Sequence, residues 1–475
     1  QCAVLAAGLA LSTAPSYSQN SIVLTPVAET GETAPGTVST WSSLSSSLAS
    51  VSADGGVSFV GTAGGLSGLW YGEPGSLLLA ARQGDAAPGT GANFGTFNID
   101  TTAFAATFEA AFSNTLDDSN DSIWTTTVGP ALDLVALEGA ATPASLAGKT
   151  FSILNQPSVN DNGDIVFRAT VEPSPGVRTL WRSINGVGIE HIARNTEPTN
   201  IGALPGSTYN VIGDMYCINN DGEVVFRTSL SGIGANNNVL LSMPDPIPGG
   251  GPTLVAREGD VAPGAGASTY LDFTACHINN SEDILFRASL GGVAPASANT
   301  GAWHYDSATT TITDIAVEGN ATPGFVGGFF DTIEELFLAD NGVIVVVAIA
   351  RDTANDTGSL IGRGVWMDAG AGMELVALVT QNIFDRDGST VYGTVKNIDQ
   401  VTMNSDGDIA IELRAGPGAS SIKGIWKREA VAAAVAQRLI SVGDTTYDSN
   451  RVARVLTGLD LPESEAFTSN GGGPI

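Results

Sequence analysis

His191, His277 and His304 are the only histidines in 475 residues, and they stand far apart in the chain. A histidine metal site needs ligands at close spacing, and a histidine-activated nucleophile needs a Ser or Cys in a recognisable motif. Neither pattern occurs, so the three histidines read as structural side chains with local partners. The acidic stretches NDNGD (160–164), NSDGD (404–408) and DRDGS (385–389) resemble the first half of a calcium loop. A complete EF-hand loop requires a bidentate Glu at its twelfth position and flanking helices, and both are lacking. Two readings of these stretches stand: hairpin turns throughout, or a calcium site at Asp385 and Asp387. The many glycines lie in turn contexts and not before helices, which excludes a phosphate cradle. Sialidase-type Asp boxes place a Trp shortly after the Gly turn, whereas here Trp follows a strand later. The sequence therefore assigns no catalytic residue, no cofactor and no metal ligand.

The elements that carry these residues repeat. VNDNGDIVFR (159–168), INNDGEVVFR (218–227) and INNSEDILFR (278–287) are near copies of one hairpin. Asn162-Gly163, Asp221-Gly222, Asn341-Gly342, Asp406-Gly407 and Asp54-Gly55 supply the positive φ of a tight turn. The run after the turn alternates, with Ile165, Phe167 and Ala169 on one face and Val166, Arg168 and Thr170 on the other. A short strand carrying an aromatic follows, as in GLWYG, TLWRS, GAWHY, GVWMD and GIWKR. A fourth apolar strand closes each unit, as in LVAREGDVAPG, and its Pro-Gly marks the exit loop.

Six of the seven tryptophans occupy the third strand: Trp70, Trp124, Trp181, Trp303, Trp366 and Trp426, with Leu241 in the same place between Trp181 and Trp303. Successive intervals are 54, 57, 60, 62, 63 and 60 residues. Four strands in about sixty residues fit a propeller blade. The predicted fold is all-β, a β-propeller of four-stranded blades with seven complete. SIVLTPVAETGETAPG, near residue 28, reads as a fourth strand with no three strands before it. An eight-bladed ring closed by that strand, and truncated after Ile475, is expected; a seven-bladed ring with a spare N-terminal strand is the alternative. Residues 19–475 form one domain in either case.

These motifs together resemble the exported bacterial NxxGxxAF-repeat proteins. The N-x-x-G-x-x-x-F core at Asn160, Asn219 and, without its Gly, Asn279 carries the likeness with the LVAxxGDxAPG linkers. That resemblance implies export and a propeller-like architecture and implies no activity. Blade 2 departs from it, since NIDTTAFAATF lacks the Gly turn, and blades 6 and 7 replace the Phe with Val346 and Ile411.

Cys2 to Leu11 is an apolar run of signal-peptide length, and Ser16-Tyr17-Ser18 offers a cleavage spacing, so residues 1–18 read as part of a signal peptide. A buried N-terminal strand is the competing reading. With 20 basic against 49 acidic residues the formal charge is −29, which disfavours nucleic acid and anionic membranes as partners. Charged residues are only 15% and hydrophobic ones 43%, as suits a folded chain. The expected protein is exported to the cell surface or beyond, monomeric, not inserted in the membrane, and binds an extracellular glycan or protein. A carboxylate-dependent hydrolase or lyase at the channel mouth is the alternative.

Two further expectations concern packing. Arg168, Arg227 and Arg287 lie opposite the Phe face and must find acceptors when blades stack; Glu138, Glu258 and Glu318 are the nearest recurrent acids. Cys217 and Cys276 precede the hairpin Asn of consecutive repeats, one position out of register. Their side chains therefore point to opposite faces of their own sheets, which are the faces that meet between blades. A disulfide and a pair of buried thiols both remain open, because inner strands of neighbouring blades often exceed the Cα separation of roughly 4.4–6.8 Å.

Overall fold

The structure is a computed structural model. It describes residues 3–4, 27–51, 57–73, 75–97, 103–106, 109–126, 131–155, 157–173, 176–184, 187–235, 237–245, 251–292, 299–354, 358–447 and 453–455. Within these residues the chain forms seven antiparallel four-stranded meanders arranged as a β-propeller. A 3-10 turn at Ala144–Leu146 is the one helical element among the described residues. Blade 4 is representative: Thr208–Ile218, Val224–Ser231, Asn238–Met243 and Thr253–Arg257 pair in chain order. Blade 3 breaks its first strand into Thr150–Leu154 and Ser158–Val159, both paired to Ile165–Glu172. In blade 7 an extra strand, Asn382–Phe384, pairs with the first strand Val391–Met403.

The core lies between blades, because each sheet buries both faces. In blade 3, Ile165, Phe167 and Ala169 pack with Ala111, Ile123 and Ala136 of blade 2. Val166 on the other face joins Tyr209, Phe226 and Leu241 of blade 4. The alternation read from the sequence thus separates two cores and not a core from solvent. Within a blade, the motif Phe and the Trp are direct cross-strand partners: Phe59 with Trp70, Phe112 with Trp124, Phe167 with Trp181, Phe286 with Trp303. All six third-strand tryptophans are fully buried.

Their indole N–H groups fall into two sets. Trp70, Trp303 and Trp366 donate to the carbonyls of Pro35, Pro263 and Pro323, at 2.9, 2.9 and 3.0 Å. Each of these prolines belongs to the linker that enters the blade. Trp426 donates in the same way to Phe384, at 2.8 Å. In these four blades the residue two before Trp is Gly, and a Cβ at Gly301 would meet the Trp303 ring at 2.6 Å. In blades 2 and 3 that residue is Ser122 or Thr179, whose hydroxyl accepts the indole N–H itself, at 2.8 and 2.7 Å. The Pro-Gly linker therefore does more than end a strand: its proline carbonyl caps the Trp of the next blade.

The hairpin turn has the positive φ expected of it, in a longer loop than a two-residue turn. Asn160 N–H donates to Asp164 O, and Gly163 N–H donates to Asn160 O, both at 3.1 Å. The loop is thus three residues long with one left-handed position, filled by Gly163, Gly222, Gly342 and Gly407 at φ of 78 to 82°. Glu282 takes that position in blade 5, at φ 65°. The Asp54-Gly55 turn lies outside the described residues, as does most of the expected signal segment. Within that segment Ala3–Val4 is described, paired with Ala28–Glu29. The expected ring-closing strand at 21–28 lies mostly outside as well. After blade 7 a short hairpin, Thr445–Tyr447 with Ala453–Val455, follows.

Candidate functional site

Each meander places two kinds of loop at its two ends. The hairpin turns between first and second strands, with those between third and fourth, make one face. The linkers between blades, with the loops between second and third strands, make the other. The residues singled out by the sequence divide between these faces and the space between blades.

On the turn face the motif asparagines are consumed by the fold. Asn219 is fully buried; its Oδ1 accepts from Asp221 and Glu223 N–H, at 3.2 and 2.8 Å, and its Nδ2 donates to Asn279 O at 3.1 Å. Asn160 donates to Asn219 O at 2.6 Å, and Asn279 to Ala339 O at 3.4 Å, so each blade latches to the next. A second row runs beside it, in which Asn280 N–H and Nδ2 donate to the two carboxylate oxygens of Asp340, at 3.1 and 2.8 Å. Arg182 of blade 3, fully buried, donates to Gly222 O, Glu190 and Asp245.

The turn face is also where carboxylates of blades 4, 5 and 6 gather. Burial pushes Glu223 up to about 7, against the hydrogen bond from Ser242, and the charges of Glu282 and Asp221 add to the rise. Burial likewise raises Asp340, with Asp221 contributing. Among the described residues no three His, Cys, Asp or Glu side chains are grouped to hold a metal. Asp385 and Asp387 already have protein donors. Arg438 Nε lies 2.8 Å from Asp385, and Asp387 accepts from Ser389 and Thr390 N–H at 2.9 and 2.7 Å. A cation there would have to displace Arg438 and open the turn.

The expected arginine bridges form with different acids. Arg168 meets Asp214 at 2.5 Å, and Arg227 forks onto Asp272 at 2.6 and 2.8 Å, each across to the following blade. Arg287 instead donates to the Ile333 and Glu334 carbonyls of blade 6, at 3.0 and 2.6 Å. Glu138, Glu258 and Glu318 accept backbone N–H groups of their own blades, so they were the wrong acids. A further arginine makes the same kind of contact at the next junction. Arg363, from the third strand of blade 6, reaches the Ile398 and Asp399 carbonyls of blade 7 at 3.1 and 2.8 Å. The second-strand place of Arg287 holds Val347 in blade 6, so alignment by strand could not find Arg363. The acids Asp214 and Asp272 sit at bulges of the first strand, where register shifts hide them from a periodic reading.

The histidines do not converge. His191 packs edge-on to Trp181, centroids 5.2 Å apart, and burial lowers it to about 4. His277 is also lowered to about 4 by burial, with Arg287 beside it, and His304 lies on the third strand of blade 5.

Val38 and Val326 on the linker face are fully exposed; Val261 there is mostly so, as is Val187 on the turn face. Val38 and Val326 occupy the same place, three residues after the linker Pro; Gly266 holds it in the blade 5 linker and Leu146, buried, in that of blade 3.

Residues 11–310 match the family described as "Family of unknown function (DUF7453)". The chain belongs to this family. No curated protein matches it. Among solved structures, this DUF7453 chain is similar to one from a study titled "Structural and Mechanistic Analysis of Two Prolyl Endopeptidases". The TM-score is 0.44 at 12% identity, covering 89% of this chain and 50% of that one. Prolyl oligopeptidase B from Galerina marginata gives 0.42 at 11%, covering 83% and 49%. The Dos1 propeller gives 0.40 at 10%, covering 87% and 93%. The chain spans half the length of the first of these. No helix among the described residues is long and apolar enough to cross a membrane.

Proposed function

We propose that this DUF7453 protein is an exported, cell-surface or secreted propeller that binds a glycan, protein or matrix ligand through its linker face. One observation carries the reading. The repeated residues are spent on joining blades, whereas the linker positions that vary between repeats hold the exposed side chains Val38, Val261 and Val326. Variable exposed loops on a rigid scaffold are the usual place for recognition. The apolar run Cys2 to Leu11 supports export. A glycan and matrix-protein array probed with the secreted chain tests this. Val38→Ser with Val326→Ser is expected to abolish the strongest signal while the unfolding temperature stays unchanged. Signal loss on Asn160→Ala in a chain that still folds, with the valine variant unaffected, would overturn it.

A second reading, a hydrolase or lyase using carboxylates at the channel mouth, draws on Glu223. A carboxyl titrating near 7 beside other acids is suited to general acid–base work. A panel of glycan and peptide substrates, turned over by the wild type and not by Glu223→Gln, is the result that this reading requires.

A further inference from the structure

Cys217 and Cys276 lie on the first strands of blades 4 and 5, two residues before Asn219 and three before Asn279. Both side chains are buried and their Sγ atoms are 2.7 Å apart. Both are free thiols in this structure, yet they stand closer than the about 3.5–4.0 Å at which non-bonded carbons rest, and a disulfide closes to roughly 2.05 Å. The equivalent positions at the junction of blades 6 and 7 are Phe337 and Val401, which share one core. At the junction of blades 4 and 5 the corresponding positions, within one core, hold two sulfurs. The whole chain has 3 cysteines, so the meeting of two at one contact is not a by-product of abundance.

We propose that Cys217 and Cys276 form a disulfide that staples blade 4 to blade 5. The oxidant is a disulfide of a thiol oxidoreductase or of glutathione. One cysteine thiolate attacks it, releasing one thiol and leaving a mixed disulfide; the second attacks that bond and releases the other thiol. Two cysteine protons and two electrons pass to the oxidant, and one S–S bond replaces another. Burial raises the Cys217 thiol well above its ordinary range, with the neighbouring Cys276 adding to the rise, so exchange is suppressed once the blades are packed. The bond therefore forms as blade 5 docks on blade 4 and then resists reductants. It ties positions 59 apart, a loop long enough for cross-linking to stabilise the fold. The proposal stands apart from the ligand-binding reading, since it concerns the space between blades.

The test uses the full chain, unfolded in urea and refolded with glutathione disulfide and glutathione. After denaturation without reductant, free thiols are alkylated and the chain is mapped by mass spectrometry. The expected result is a linked pair of peptides carrying Cys217 and Cys276, with neither cysteine alkylated. Alkylation of both would overturn the proposal. The double variant Cys217→Val, Cys276→Val keeps an apolar contact at the junction. It is expected to melt a few degrees below the oxidised wild type and level with wild type refolded in dithiothreitol. An oxidised chain that melts no higher than the reduced one would overturn the stapling role.

Discussion

Asn219 shows how one motif residue serves two purposes at once. It caps its own turn through two accepted hydrogen bonds and latches the next blade through a donated one, all from a buried position. Removing the side chain orphans buried backbone groups, at about 1–3 kcal/mol for each. Asn219→Ala should lower stability by about 3 kcal/mol in urea unfolding, and Asn219→Asp, which keeps the acceptor and loses the donor, should not restore it. Glu282 holds the left-handed place that four other turns give to Gly. A non-Gly residue there carries strain of about 1 kcal/mol, so Glu282→Gly should raise the urea midpoint. Titration adds a signed prediction. His191 and His277 fall from 6.5 to about 4 on folding, so the unfolded chain binds more protons in that window and stability drops as pH falls through it. Glu223 rises from 4.5 to about 7, so its contribution drops as pH rises from about 4.5 to 7 and partly opposes the histidines. Glu223→Gln removes that opposition. Urea midpoints between pH 7 and 4.5 should therefore fall more steeply in the variant than in the wild type; equal slopes would count against a neutral buried Glu223.

At the scale of an element, the glycine two residues before Trp decides where the indole points. With Gly the ring lies over the backbone and its N–H finds the linker carbonyl; with Ser122 or Thr179 the hydroxyl takes the N–H. Gly301→Ala places a methyl 2.6 Å from the Trp303 ring and 3.0 Å from Ala316 O, with no acceptor in exchange. Overpacking of this kind costs about 1–3 kcal/mol. Gly301→Ser adds the same bulk but offers the acceptor that blade 2 uses, so it should cost less than Gly301→Ala in the same unfolding assay. Hydrogen exchange in 258–268 should speed up in both variants, because Pro263 loses its partner. Four strands, their order and the Trp periodicity were legible because turns, alternation and aromatics repeat at nearly constant spacing. The partners of Arg168 and Arg227 were not legible, since Asp214 and Asp272 stand at bulges that break the two-residue period. Nor was Arg363, which substitutes from a different strand. The linker carbonyls were invisible for another reason: a backbone acceptor leaves no residue type to read.

For the whole molecule, one group of acids gathers at the hairpin turns. Asp161, Asp164, Asp221, Glu223, Glu282, Asp283, Asp340, Asp406 and Asp408 all stand in or beside the hairpin turns of blades 3 to 7. Arg182, Lys427 and Arg428 reach the same end, and each is already paired with local acids. The turn face thus carries part of the −29 net charge, and the folded state holds these carboxylates closer together than the unfolded chain does. Screening should relieve that repulsion, as the Debye length shrinks from about 30 Å at 0.01 M salt to about 8 Å at 0.15 M. Raising sodium chloride across this range is expected to raise the unfolding temperature. Asp221→Asn with Glu282→Gln should raise it at low salt and flatten the response. The Arg227–Asp272 fork between blades 4 and 5 supplies a control of opposite sign. Asp272→Asn removes an attraction that salt weakens, so its deficit relative to wild type should be largest at low salt. If salt instead destabilised the wild type, attraction between blades would outweigh repulsion on the turn face, and the acidic turns would not be the feature that governs the charge response of this propeller.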